Sequence, residues 1–245
     1  MVPTVDGFWR RWFPGPVWGT PAFAARAAER PISRMARKKL LRFAELHEMG
    51  NVVDGHTCDV GWFERTFGRE APVVLELGCG RGEYTLALAR RRPNRGVVGV
   101  DRNGARLWKG AGAALAEGLT NAFFLRSRIE DLEDHVPPGR VDAIWLPFPD
   151  PLPKHSQAKH RLLSPVFLKR YRKVLRARAA IHLRTDDADL VGFAEQSVGA
   201  VGGHILTNVD GVAADLDEGA AIQTTYEKRY REEGRTIYDR RFRLD

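Results

Sequence analysis

A chain of 245 residues, 43% hydrophobic and 29% charged, has the length and balance of one α/β domain with a short appendage. No apolar run approaches the ~20 residues that cross a bilayer, Met1 to Gly19 lack the apolar stretch of a secretory signal, and two cysteines, Cys58 and Cys79, support neither a disulfide framework nor a metal-ligand set. Lysine and arginine outnumber acids 39 to 31, and the net charge of +8 favours a polyanionic partner through counterion release.

Residues 1 to 34 carry Trp9, Trp12 and Trp18 among several prolines and few acids, and no helical or strand period holds there. They read as an extension, with Met35 able to serve as an internal start and residues 35–245 as the folded domain. From Val73 onward strands and helices alternate. Val73 to Leu77 is a short apolar run ending in glycines, as in a buried parallel strand. A helix follows over Glu83 to Arg92, with Tyr84, Leu86, Leu88 and Ala89 inward. Val97 to Asp101 is the next strand. The helix from Ala105 to Glu117 places Leu107, Ala111, Ala114 and Leu115 on one stripe. Further strands are expected at Ala122–Leu125, Val141–Leu146 and Ala180–Leu183. Before the last of these lies a helix that Ser164 can cap and Pro165 can open, burying Phe167, Tyr171, Val174 and Leu175. Segments around His204–Val209 and Thr236–Arg243 could add an antiparallel pair at one edge. The alternation implies a mostly parallel sheet with helices on both faces and ligands at the carboxyl ends of the strands.

The heptapeptide Glu76-Leu77-Gly78-Cys79-Gly80-Arg81-Gly82 joins a strand to a helix, where glycines let backbone approach a ligand. Its spacing is G-x-G-x-G, and Glu83 stands where a dinucleotide fingerprint has its third glycine. Glu76 suits a ligand with a cationic group, such as the amino terminus of S-adenosylmethionine (SAM). Asp101, at the end of the next strand, can accept hydrogen bonds from both ribose hydroxyls of an adenosine. A turn with no ligand and a helix-capping Asp101 are the plainer alternatives.

Pro147-Phe148-Pro149-Asp150-Pro151-Leu152-Pro153-Lys154 resembles the F-P-D-P-W-x-K signature of the bacterial tRNA (guanine-N7)-methyltransferases. Lys159-His160-Arg161 resembles the basic cluster that follows it, Leu183-Arg184-Thr185-Asp186 the family's A-T-D segment, and Thr224-Thr225-Tyr226-Glu227-Lys228-Arg229 its T-x-F-E-x-R element. The match runs in order from about Met35 to Leu244. The resemblance implies a Rossmann-like class I methyltransferase fold with a seven-stranded, mostly parallel sheet, SAM as cofactor and tRNA as partner. It implies methyl transfer to N7 of a variable-loop guanine, in the cytoplasm, with no metal and no membrane. By the same resemblance Glu76, Gly78, Gly80, Asp101 and Ser127 would bind SAM. Asp150 would be the catalytic carboxylate. Lys154, Lys159, Arg161, Asp186, Thr224 and Glu227 would contact the substrate.

Three positions depart from the pattern. Leu152 replaces a Trp, Ser127 stands where many members have an Asp near the adenine, and His160 replaces an Arg. A SAM methyltransferase acting on another RNA or on a small molecule, and a non-catalytic tRNA-binding module of the same fold, remain the rival readings. A nicotinamide oxidoreductase fits the glycine spacing poorly.

Overall fold

The computed structural model describes residues 34–59, 61–210 and 222–244. By its contacts the chain divides into two units, residues 1–38 and 39–245, and all the strands described belong to the second. The expectations for residues 1–33, their tryptophans included, lie outside the described residues.

Eight strands form one sheet in the order β1-β4-β3-β2-β5-β6-β8-β7. Strands β2 (Val73–Leu77) and β3 (Gly96–Asp101) are buried along their whole length. Their apolar runs have no polar alternation because helices cover both faces of a parallel sheet. On one face Leu75, Leu77, Val98, Val100, Ile144 and Leu146 pack against helices α5 (Pro165–Val174) and α6 (Ala188–Ala200). On the other, Val74, Val97, Phe124 and Trp145 pack against α3 (Glu83–Arg91) and α4 (Gly104–Ala116). Each added buried Leu, Val or Phe contributes about 1.5–3 kcal/mol over exposure, so this two-sided burial is the main force holding the layers.

Strands β4 (Ala122–Arg126) and β5 (Val141–Pro147) extend the parallel region to either side, and β6 (Leu175–Thr185) follows β5. The expected edge pair is present: β7 (Gly203–Asp210) and β8 (Tyr238–Leu244) run antiparallel, with β8 also antiparallel to β6. The eighth strand, beyond the seven expected, is β1 (Val52–Asp54), three residues paired with β4 at the far edge. It follows α1 (Arg34–His47); α2 (Trp62–Phe67) lies between β1 and β2, and α7 (Thr225–Glu232) precedes β8.

Two local expectations need correction. Ser164 occupies the cap position of α5, but its hydroxyl donates to the Lys159 carbonyl at 3.1 Å and caps nothing. Leu115 turns outward from α4 and is 50% exposed, because the helix stripe narrows to Leu107, Ala111 and Ala114 where it meets the sheet.

β2 is the strand where the order reverses, with β3 on one side and β5 on the other. The chain leaves β2 into the glycine loop and leaves β5 into the Phe148–Lys154 signature. Two loops thus open side by side at the carboxyl ends of the sheet, the place where open α/β sheets bind ligands.

Candidate active site

The glycine loop takes a conformation that L side chains resist. Gly78 and Gly80 have φ of +76° and +57°, in the left-handed region. A Cβ at Gly80 would meet nothing within 4 Å, and one at Gly78 only Leu162 Cδ1 at 3.9 Å, so the space above both is open. Gly82 serves packing instead: a Cβ there would strike the Phe124 ring at 2.6 Å.

Glu76 sits beneath this loop, 3% exposed. Its carboxyl accepts a short hydrogen bond from the Thr85 hydroxyl, and no cation pairs with it among the described residues. Burial pushes its pKa from 4.5 up to about 8, the Thr85 contact only partly opposing the shift. An acid held this way is an incomplete half of an ion pair, and a ligand ammonium would complete it.

Asp101 joins the two nearest turns. One carboxylate oxygen accepts from the Gly80 backbone N–H at 2.9 Å and the other from Asn103 N–H at 2.7 Å, which leaves lone pairs on each. Its main-chain carbonyl accepts from Ser127 N–H at 3.3 Å. The Ser127 hydroxyl donates to the Arg128 carbonyl at 3.1 Å, so Ser127 is buried beside Asp101 with a free acceptor capacity. Glu76, Gly78, Gly80, Asp101 and Ser127 therefore fall on the ends of three adjacent strands, β2, β3 and β4.

The facing loop is strained. Phe148 and Leu152 have φ of +52° and +45°, rare for residues with a Cβ. Three hydrogen bonds hold these turns. Phe148 N–H donates to the Arg184 carbonyl of β6 at 2.7 Å, and the Arg161 guanidinium donates to the Leu152 carbonyl at 3.2 and 3.3 Å. Between them Asp150 is exposed and makes no hydrogen bond or ion pair among the described residues. A bare carboxylate on a loop pinned at both ends is poised for something outside the chain.

The expected substrate residues divide into two groups. Lys154 and Lys159 are exposed. Arg161, expected to face RNA, is instead engaged within the chain: besides Leu152 it stacks over the Phe193 ring at 4.4 Å. Asp186 accepts from Arg235 at 2.7 Å. Thr224 caps α7 by accepting from Glu227 N–H at 3.3 Å. Glu227 is 1% exposed and receives Arg184 at 3.0 Å and Arg231 at 2.7 Å on one oxygen. Its other oxygen is buried without a hydrogen-bond partner among the described residues.

Sequence reasoning missed the residue at the middle of this network. Arg184 is 2% exposed, donates to the Ile222 carbonyl at 3.0 Å and to Glu227, and lies 3.4 Å from Asp239. With its own carbonyl on Phe148, it ties the signature loop to α7. The N-terminus of α7 in turn reaches the glycine loop, Thr225 N–H donating to Glu83 at 2.8 Å. Arg184 stood in the quoted Leu183–Asp186 segment, but only its burial reveals the role.

Both cysteines are free; burial raises the thiol pKa of each. No cluster of three metal-ligating side chains occurs among the described residues, and no helix among them is long and apolar enough to cross a membrane.

Comparison with known proteins fits this arrangement. Residues 70–240 match a family model described as "Putative methyltransferase". The tRNA (guanine-N(7)-)-methyltransferase of Christiangramia forsetii is 38% identical over 85% of this chain and 99% of its own. That of Cytophaga hutchinsonii is 38% identical over 82% and 94%, and that of Bacteroides thetaiotaomicron 37% over 86% and 87%. Among solved structures, a 30S ribosomal methyltransferase from an uncultured bacterium superposes with a TM-score of 0.58, at 15% identity over 77% of this chain and 95% of that one. The 16S rRNA (adenine(1408)-N(1))-methyltransferase of Catenulisporales acidiphilia gives 0.56, at 18% identity over 77% and 94%. At such identities these structures speak for the fold, that of the class I methyltransferases. The chain belongs to the tRNA (guanine-N7)-methyltransferase family.

Proposed function

We propose that this chain transfers a methyl group from SAM to N7 of a guanine in the variable loop of tRNA, in the cytoplasm. The observation that carries the reading is the pairing, at the switch point of the sheet, of a buried Glu76 with no cation among the described residues, under an open glycine loop, and a pinned, exposed Asp150 on the neighbouring loop.

The residues fit the cofactor. Glu76 would take its ammonium, Asp101 its ribose hydroxyls, Gly78 and Gly80 would let it lie against backbone, and Ser127 would edge the adenine. Bound SAM supplies a methyl on a sulfonium, already activated for in-line displacement. Guanine N7 offers a lone pair and no proton, so the chain needs no general base there. What the protein contributes is orientation at near-attack distance. Asp150 would hold the acceptor guanine and offset the positive charge that builds on it. Lys154 and Lys159 would neutralise phosphates near the loop, contacts that position RNA without reading it. Arg161, Asp186, Thr224 and Glu227 serve the substrate by fixing the loop and helix that border it, since their polar groups are largely spent within the chain.

Incubation of the protein with labelled SAM and unmodified tRNA, followed by nuclease digestion, tests the reading. The expected product is 7-methylguanosine, and Asp150→Asn is expected to lower kcat/KM by roughly 10²-fold while SAM still binds. Label in any other nucleoside, or full turnover by Asp150→Asn, would contradict it.

A further inference from the structure

On the sheet face shared by α3 and α4, a groove of about 530 Å³ opens over β2, β5 and β6, from their beginnings as far as Trp145 and His182. Six arginines line it: Arg91, Arg92, Arg95, Arg176, Arg178 and Arg241. The acid in the lining, Asp142, is already committed. It accepts from Val73 N–H at 2.7 Å and from Arg176 at 3.3 Å. The side chains of Arg95, Arg178 and Arg241 make no ion pair among the described residues, and the Nε of Arg241 is buried without a hydrogen-bond partner there. The guanidiniums of Arg95, Arg178 and Arg241, concentrated without counter-charge among the described residues, repel one another and their neighbours, so the arrangement costs stability unless an anion joins it.

The backbone is shaped to present these cations. Register slips between Val141 and Ala143 of β5, opposite Leu175 and Ala180 of β6. Inside that bulge Arg178 takes φ of +67°, a left-handed conformation for a residue with a Cβ. Bulges of this kind re-aim side chains beside functional sites. The groove floor carries the rings of Trp145 and His182, stacked with centroids 3.8 Å apart.

We infer that this groove binds the phosphodiester backbone of RNA, at a stretch remote from the guanine being methylated. The inference rests on the tRNA reading above. Along β5 the groove runs from Asp142 to Trp145, and its end at Asp142, Arg176 and Arg178 lies five residues from Pro147 at the signature loop, or roughly 16 Å at about 3.3 Å each. That end therefore takes a different part of the RNA from that held by Lys154 and Lys159. Arginine forks match phosphate oxygens two at a time, which fixes register on the backbone without selecting sequence.

The test is the salt dependence of binding to unmodified tRNA, measured for the wild type, for Arg178→Gln and for the triple variant Arg95→Gln, Arg178→Gln, Arg241→Gln. Each lost phosphate contact should flatten the slope of log affinity against log salt by about 1. The triple variant is thus expected to lose about 2–3 in slope, while its melting temperature without RNA is at or above the wild-type value and its SAM affinity is unchanged. Arg178 is exposed on the bulge, so its single substitution keeps the test valid if the triple variant does not fold. Wild-type slopes in the variants would overturn the groove while leaving the function standing. Failure of the wild type itself to bind tRNA would overturn both.

Discussion

The residue with the clearest physical signature is Glu76. Its pKa of about 8 means that the folded, ligand-free protein holds a proton which the unfolded chain releases near 4.5. Stability from this group is full below about pH 4.5, falls as pH rises, and is gone above about 8. Glu76→Gln should therefore gain melting temperature relative to wild type between pH 6 and 8.5, and a constant difference would contradict the burial argument. A ligand ammonium favours the carboxylate, so SAM binding at pH 7 should release roughly one proton. Titration calorimetry in buffers of different ionisation enthalpy measures this directly, and zero proton exchange would remove Glu76 from the ammonium site. Glu76 and the glycines stood out in sequence because their chemistry is unusual at their place, an acid closing a buried strand and glycines before a helix, whereas Asp150 was singled out by the family resemblance of its signature. The partners of Arg161, Asp186 and Glu227 were not legible. Which cation meets which acid is decided by elements far apart in the chain, and a basic or acidic motif reads the same whether it faces RNA or its own fold.

At the level of elements, the long buried strands announced themselves through unbroken apolar runs, and α5 through its apolar spacing. Short or weakly patterned elements did not. β1 has three residues, too few for any period, and is held by its register with β4 and by Asn51, whose amide donates to the Ala111 carbonyl at 3.1 Å. α6 carries glycines at 192 and 199, and its apolar residues are spread around the helix, so its stripe appears only against the sheet. The Thr224–Arg229 segment was recognised as a motif and not as a helix, although Thr224 and Glu227 form the cap of α7. That helix depends on the buried Arg184–Glu227 pair. Breaking one side of a buried pair costs about 3–5 kcal/mol when no other counter-charge is near, and here Asp239 at 3.4 Å still faces Arg184. Glu227→Ala should lower stability by up to that order, measured by urea unfolding. Glu227→Ala with Arg184→Met should cost less than the sum of the two single variants, because their mutual contact is then lost once. Additive losses in the double variant would contradict the pairing.

Over the whole molecule, the excess of base over acid seen in composition is distributed with purpose. Exposed Lys154 and Lys159 lie beside the signature loop, and the six arginines line the groove over β2, β5 and β6. Net charge foretold a polyanion but could not locate two surfaces, since charge counts carry no geometry. The fold class followed from alternation of strands and helices, and membership of the methyltransferase family agrees with the loop pair at the β2–β5 switch point. The central claim is that these loops present a variable-loop guanine to the cofactor. The most direct test compares methyl transfer to an unmodified tRNA and to the same tRNA with that guanine replaced by adenine. The account predicts 7-methylguanosine in the first and no transfer in the second; undiminished transfer to the adenine-bearing tRNA would contradict it.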